Sequence, residues 1–173
     1  VGGKTNIVHN CIDRHLKGWR KNKLALIWES EDGRDNRTYS YFSLNREVHK
    51  MANILKAMGV TKGDRVTIYL PRIPEIVFAM LACAKIGAIG VPAFSGYGPE
   101  PLAARLSAAQ VKTLVTVDGT TRKGARVAMK DVADAAAALS PSLEHVIMIR
   151  HDGGAAQRHA RDVAWAELGK GLP

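Results

Sequence analysis

The segment Gly63–Glu100 constrains the fold of this chain more than any other stretch. It contains an apolar run at Val66–Leu70, an apolar helical segment at Glu75–Ile86, a second apolar run at Ala88–Phe94 and then a glycine-containing loop. Runs that are apolar throughout, without alternation, are typical of strands buried on both faces of a parallel sheet. The segment therefore predicts a strand–helix–strand unit with a loop at the carboxyl end of a strand, where open α/β sheets bind ligands.

The same alternation continues to residue 150. Helices are predicted at Pro101–Ala109 and Val127–Leu139, and strands at Thr113–Val117 and His145–Ile149. This pattern favours an α/β fold: a mostly parallel sheet with helices on both faces. We assign residues 65–150 to this sheet, residues 1–64 to an N-terminal segment and residues 151–173 to a tail without predicted elements.

The N-terminal segment also contains local signals for helices, strands and a turn. It predicts a short helix at Asn10–Leu16, two hairpin-like strands at Leu24–Trp28 and Arg37–Tyr41 around an Asp-Gly turn, and a long helix at Ser43–Met58. Ser43 is the predicted N-cap of the long helix, and Gly59 is its predicted stop.

Composition limits the class of protein. The chain has 173 residues, of which 46% are apolar, so it can form one domain or one large subdomain with a real core. It has neither a signal-like start nor an uncharged apolar run long enough to span a membrane. Cys83 lies on an apolar helix far from Cys11, which predicts a buried free thiol and fits a cytoplasmic location.

The net charge of +9 is unevenly distributed. Residues 101–130 carry six basic side chains against Asp118 alone, whereas residues 131–173 carry four basic and six acidic ones. Such a patch attracts the phosphates of a nucleic acid or a nucleotide cofactor, although a solvated basic face explains it equally well. No aromatic residue is interleaved in 101–130, so a stacking platform is missing and nucleic-acid binding is not expected.

Two loops at predicted strand ends are candidates for a phosphate site. Phe94–Pro99 has Gly96 and Gly98, which allow a close backbone approach, and it precedes a helix N-terminus. Thr120–Arg126 presents two arginines and a lysine, and guanidinium groups match phosphate oxygens. Each loop is also compatible with a plain connector. Because both follow strands, we expect them at the same edge of the sheet.

The chain shows no catalytic or metal-binding pattern. Its six histidines lack metal-ligand spacing, and it has no Gly-x-Ser-x-Gly motif, no Cys–His pair and no GxxxxGK[ST] loop. We therefore predict neither catalytic residues nor metal ligands within it.

Several segments together resemble one enzyme family. They are NIVHNCIDRHL at 6–16, LALIWES at 24–30, RTYSYFSLNREVHKMANILKAMGVTKGDRV at 37–66, IPEIVFAMLACAKIGAI at 73–89 and RDVAWAEL at 161–168. Their order is similar to that of the AMP-forming acyl-CoA synthetases, within them the acetyl-CoA synthetase group. The resemblance implies the first part of the N-terminal domain of an adenylate-forming enzyme.

The resemblance also implies a reaction. Such enzymes activate a carboxylic acid with ATP to an acyl-adenylate, release pyrophosphate, and pass the acyl group to coenzyme A, with Mg²⁺ offsetting phosphate charge. The family's phosphate loop and its lysine are expected after residue 173. We therefore expect this chain to act with the remaining part of the same enzyme and to be inactive alone.

The resemblance further implies a site for the nucleotide end of coenzyme A. By position, Phe94, Ser95 and Gly96 correspond to the family's glycine loop, and Arg122 to the first of two arginines. The second arginine aligns with Ala125, next to Arg126, which is the candidate to replace it. Gly90-Val91-Pro92 stands where the family commonly has His-Ser-Val, which leaves the acyl substrate open. A basic nucleic-acid-binding module or a stand-alone structural module are the alternatives.

Overall fold

The computed structural model describes residues 3–156 and 158–168 of the chain. Its helices are α1 (Ile7–Cys11), α2 (Tyr41–Ala57), α3 (Pro74–Ile86), α4 (Pro99–Ala108), α5 (Met129–Ala138) and α6 (Trp165–Leu168). Its strands are β1 (Leu24–Glu29), β2 (Asn36–Ser40), β3 (Arg65–Ile68), β4 (Ile89–Pro92), β5 (Thr113–Val117), β6 (Thr120–Arg122), β7 (Ala125–Val127), β8 (His145–Ile149) and β9 (Asp162–Ala164). None of the helices in these ranges has the length and apolar character that crossing a membrane requires.

A parallel sheet in the order β4-β3-β5-β8-β9 forms the centre of the molecule. Every residue of the central strand β5 is buried, as its apolar run predicts. Pro92 lies on the edge strand β4, where its missing N–H breaks no ladder. The α/β fold predicted from the sequence is thereby confirmed.

Helices cover both faces of this sheet. The chain passes from β3 to β4 in one direction along the sheet and from β4 to β5 in the other, so right-handed crossovers put α3 and α4 on opposite faces. The contacts agree: α3 packs against α2 and under β3 and β4, whereas α4 packs against α5. Small buried residues of α3, among them Ala79, Ala82 and Cys83, allow this close packing. Cys83 is a buried free thiol, as predicted, and Cys11 is free and exposed.

Two predictions for the N-terminal segment were wrong in detail. The first helix starts earlier than Asn10, because the Asn6 side chain accepts the N–H of Val8 at 2.9 Å and caps α1. The long helix is capped by Ser40 rather than Ser43, because the Ser40 hydroxyl accepts the N–H of Ser43 where β2 runs directly into α2. Gly59 ends this helix as predicted, with a positive φ of 75°.

Two further elements replace predicted loops. The hairpin β6–β7, which ends at Val127, occupies most of the polar stretch 118–126, and its central residues Lys123 and Gly124 have φ values of 50° and 76°. Positive φ at both central residues is the signature of a two-residue hairpin turn. The tail, for which no element was predicted, adds the edge strand β9 beside β8.

Candidate functional site

The candidate site lies at the carboxyl edge of the sheet, where the loop after β4 meets the hairpin after β5. The loop closes as a tight turn, since the N–H of Tyr97 donates to the carbonyl of Phe94 at 3.0 Å. Gly98 then leads into α4, which begins with Pro99. The topology thus puts both predicted loops at one edge, where open α/β sheets bind ligands.

Phe94, Gly96 and Arg122 come together at this edge. The guanidinium carbon of Arg122 lies 5.4 Å from the centroid of the Phe94 ring. Both side chains reach solvent, with Phe94 56% exposed. In this cation–π pair the guanidinium lies over the aromatic ring, so a charged fork and an aromatic group are presented together at the surface. An anionic ligand that also has a planar ring can contact the Arg122 guanidinium with its anionic group and the Phe94 side chain with its ring.

Gly96 leaves the space that this pair occupies. A Cβ at Gly96 would lie 2.8 Å from Nη1 of Arg122 and would also overlap the Phe94 ring. The φ of Gly96 is not positive. The small size of residue 96 therefore matters for the position of two side chains and not for an unusual backbone conformation.

Ser95 contributes through its backbone. Its carbonyl lies 3.5 Å from the hydroxyl of Tyr69. The predicted residues Phe94, Ser95, Gly96 and Arg122 thus form one contiguous group.

Arg126 does not join this group. Arg122 pairs with Ala125 across the hairpin, while Arg126 pairs with Thr121, so Arg122 and Arg126 lie on opposite faces. Nε of Arg126 donates to Oδ2 of Asp152 at 2.6 Å. Burial opposes ionisation of Asp152, but hydrogen bonds from Arg126 and Gly154 outweigh it and lower the pKa of that carboxyl. The same contact with Asp152 raises the pKa of Arg126.

A buried carboxylate supports the ion pair of Arg126. Asp118, which is 1% exposed, follows β5 and accepts the backbone N–H groups of His151, Asp152 and Gly153 at 2.7, 3.1 and 3.0 Å. These bonds fix the turn that presents Asp152.

Three residues of the site were missed by sequence reasoning. The buried Tyr69 donates its hydroxyl to the carbonyl of Tyr97 at 2.9 Å. Arg105 on α4 donates to the Tyr97 hydroxyl at 2.7 Å and lies over its ring at 4.9 Å. The Tyr97 ring meets Phe94 edge-on, with centroids 5.7 Å apart. The sequence signals for this group were a tyrosine at the end of a predicted strand, Tyr69, and a second tyrosine in the glycine-containing loop, Tyr97.

An open cavity of about 560 Å³ lies away from this edge. It is lined by residues of α5, the segment before β8 and the segment before β9, including Glu144, His159 and Arg161. Those segments enter the sheet at the amino ends of its strands, opposite to the edge where such sheets bind ligands. We therefore place the candidate site at the surface formed by the two loops.

Comparisons with known proteins cover nearly the whole chain. Residues 12–168 match the family model described as AMP-binding enzyme. The acetyl-coenzyme A synthetase of Gemmatimonas aurantiaca is 48% identical over an alignment that covers 99% of this chain. Proteins of the same name from Methanothrix thermoacetophila and Deinococcus radiodurans are 44% and 46% identical, with 100% and 97% of this chain covered. The chain spans about a quarter of the length of these curated relatives, 26% or 27%.

Proposed function

Because the chain belongs to the AMP-binding enzyme family, we propose that it is a portion of an AMP-forming acyl-CoA synthetase. The proposed reaction joins a carboxylic acid to coenzyme A through an acyl-adenylate, with ATP converted to AMP and pyrophosphate. The support is the match to relatives named acetyl-coenzyme A synthetase across 97–100% of this chain. ATP and Mg²⁺ are assigned to the remaining part of the enzyme, and no residue of this chain is proposed to hold either.

We infer that this portion supplies part of the binding surface for the nucleotide end of coenzyme A, and that Phe94, Ser95, Gly96 and Arg122 form it. The observation that carries this inference is the exposed pair of the Phe94 ring and the Arg122 guanidinium beside a glycine at which a Cβ would displace both side chains. A guanidinium fork suits a phosphate, and an aromatic face suits a base. Arg126 remains the proposed second basic group, although its guanidinium is engaged by Asp152.

The experiment is Arg122→Ala in the enzyme that contains this chain. A charge-assisted hydrogen bond contributes about 1.5–3 kcal/mol, so the KM for coenzyme A should rise roughly ten- to a hundredfold. Acid-dependent ATP–pyrophosphate exchange, which reports adenylate formation, should be nearly unchanged.

Arg34→Ala is the control, because Arg34 is another exposed arginine on the turn that precedes β2 and its side chain is 88% exposed. It removes the same charge and should leave the KM for coenzyme A within twofold, or about 0.4 kcal/mol. Equal losses in both half-reactions of Arg122→Ala would show a folding role, and an unchanged KM would remove Arg122 from the coenzyme A site.

A further inference from the structure

Tyr69 is a buried polar residue that the proposed coenzyme A contacts do not use. It follows β3 directly and has 0% exposure. Its N–H donates to the carbonyl of Val115 on β5 at 2.9 Å. The carbonyl of the preceding residue, Ile68, accepts the N–H of Ala93 at 3.0 Å. The backbone of Tyr69 is therefore fixed from both neighbouring strands.

From this fixed base the Tyr69 hydroxyl reaches the loop. It donates to the carbonyl of Tyr97 at 2.9 Å and lies 3.5 Å from the carbonyl of Ser95. These two carbonyls flank Gly96 in sequence. The ordinary pKa of a tyrosine already lies far above neutral pH, and burial raises that of Tyr69 further, so the hydroxyl is a donor at neutral pH.

The residue held by this hydroxyl is itself connected to the candidate site. The ring of Tyr97 meets the ring of Phe94 at 5.7 Å, and Phe94 in turn lies against the guanidinium of Arg122. A shift of the Tyr97 backbone would therefore move the aromatic and cationic groups that face solvent.

We propose that Tyr69 is a positioning residue that fixes the Phe94–Gly98 loop for coenzyme A, through the hydrogen bond from its hydroxyl to the carbonyl of Tyr97. The proposal rests on the proposed function, because it assigns the loop a ligand. Without the hydroxyl, the loop keeps the turn from Phe94 to Tyr97 but loses this link to the end of β3.

Tyr69→Phe isolates the hydroxyl, because it retains the buried ring. In the enzyme that contains this chain, it should raise the KM for coenzyme A about three- to tenfold, the effect of one hydrogen bond. Acid-dependent ATP–pyrophosphate exchange should be unchanged. Hydrogen exchange at the amides of residues 96 and 97 should become faster. Tyr39→Phe is the matched control, since Tyr39 lies on β2 with its ring against Phe78 and should leave the KM unchanged.

Comparison with Arg122→Ala separates the two levels of inference. A raised KM in Arg122→Ala together with a normal KM in Tyr69→Phe overturns the positioning role and leaves the proposed function standing. A normal KM in both variants overturns the proposed coenzyme A site at these loops and the positioning role with it. Equal losses of both half-reactions in Tyr69→Phe show a merely structural role and also overturn the proposal.

Discussion

Thr116 carries a hydroxyl that is buried in the central strand β5 without a hydrogen-bond partner among the described residues. A desolvated hydroxyl without a partner costs free energy, and valine has nearly the same shape. Thr116→Val should therefore raise the free energy of unfolding by about 1 kcal/mol in urea. Thr38→Val, on the exposed side of β2, should change it by less than about 0.5 kcal/mol. A loss of stability in Thr116→Val would show that this hydroxyl is satisfied.

The thiol of Cys83 should make stability depend on pH. Burial raises the pKa of this thiol from 9.0 to about 12. Between these values the unfolded chain has lost the proton that the folded chain keeps, so the free energy of unfolding falls as pH rises. The slope is about 1.4 kcal/mol per pH unit once the unfolded thiol is ionised. Unfolding measured from pH 8 to 10 should show a shallower decline in Cys83→Ala than in the natural chain.

Cys11→Ser is the control for this pH dependence, because Cys11 is exposed. It should leave the decline as it is. Equal slopes in Cys83→Ala and the natural chain would contradict the assignment to Cys83.

Gly96 tests the space between the two loops. A Cβ there must displace the Phe94 ring and the Arg122 guanidinium, which are both exposed and free to shift. Gly96→Val in the whole enzyme should therefore lose thioester formation but retain adenylate formation. Its Tm should change by a few degrees, or about 1 kcal/mol. If Gly96 were only a turn residue, Gly96→Ala and Gly96→Val would lower stability in step, and the folded fraction would still form thioester.

At the scale of elements, a buried ion network attaches the edge strand β9 to α5. Nζ of the fully buried Lys130 lies 2.6 Å from Asp134 and 2.7 Å from Asp162, and the side chain of Asp162 is 3% exposed. Lys130→Met would leave Asp162 buried without this cation. The free energy of unfolding should fall by about 3–5 kcal/mol, and amide exchange in β9 should become faster.

Two further variants test the explanation of this expected loss of stability. Lys112→Met removes a lysine from a pair with Glu144 that is 3.9 Å long and half exposed, so it should cost less than about 1 kcal/mol. Adding Asp162→Asn to Lys130→Met removes the buried charge and should restore part of the loss. Full additivity of the two changes would refute the pairing.

The elements that the sequence predicts correctly are those with long local signals. The apolar runs around α3 predict β3, α3 and β4, and Gly59 predicts the end of α2. The hairpin β6–β7 is hidden because its strands are three residues long, mostly exposed, and joined by Lys-Gly rather than Asn-Gly. The strand β9 is not evident from the sequence, because Lys130, which pairs with Asp162 of this strand, lies on α5, far away along the chain.

The candidate site, too, was predictable from the sequence only in part. The meeting of Phe94 and Arg122 follows from topology, because parallel strands end at a common edge. The separation of Arg126 from Arg122 follows from hairpin pairing, which requires the β6–β7 register to be known. Tyr69 and Arg105 contact Tyr97 with the ends of their side chains, and such contacts cannot be predicted from hydrophobic periodicity.

At the scale of the whole molecule, the carboxyl ends of β3, β4 and β5 and the loops that follow them lie at one edge of the sheet. The chain itself spans about a quarter of the length of its relatives. The division at residues 64 and 150 stays a prediction. The helices α1 and α2 of the N-terminal segment pack against α3, so this segment shares the core of the sheet domain. A chain with its own core of this kind can be studied by itself.

The purified 173-residue chain should therefore fold but catalyse no acid-dependent ATP–pyrophosphate exchange. The physical reason is that the charge on the departing pyrophosphate must be stabilised, and the phosphate loop with a lysine that the family resemblance implies for this role does not occur in this sequence. The chain should nevertheless bind 3′-phospho-ADP weakly, since an isolated part of a site offers few contacts. Titration followed by NMR should shift the signals of Phe94, Gly96 and Arg122. The whole enzyme, assayed alongside, should catalyse the exchange. Exchange by the purified chain alone would overturn the view that it is only a portion of the catalytic unit, and unshifted signals at all three residues would move the coenzyme A site elsewhere.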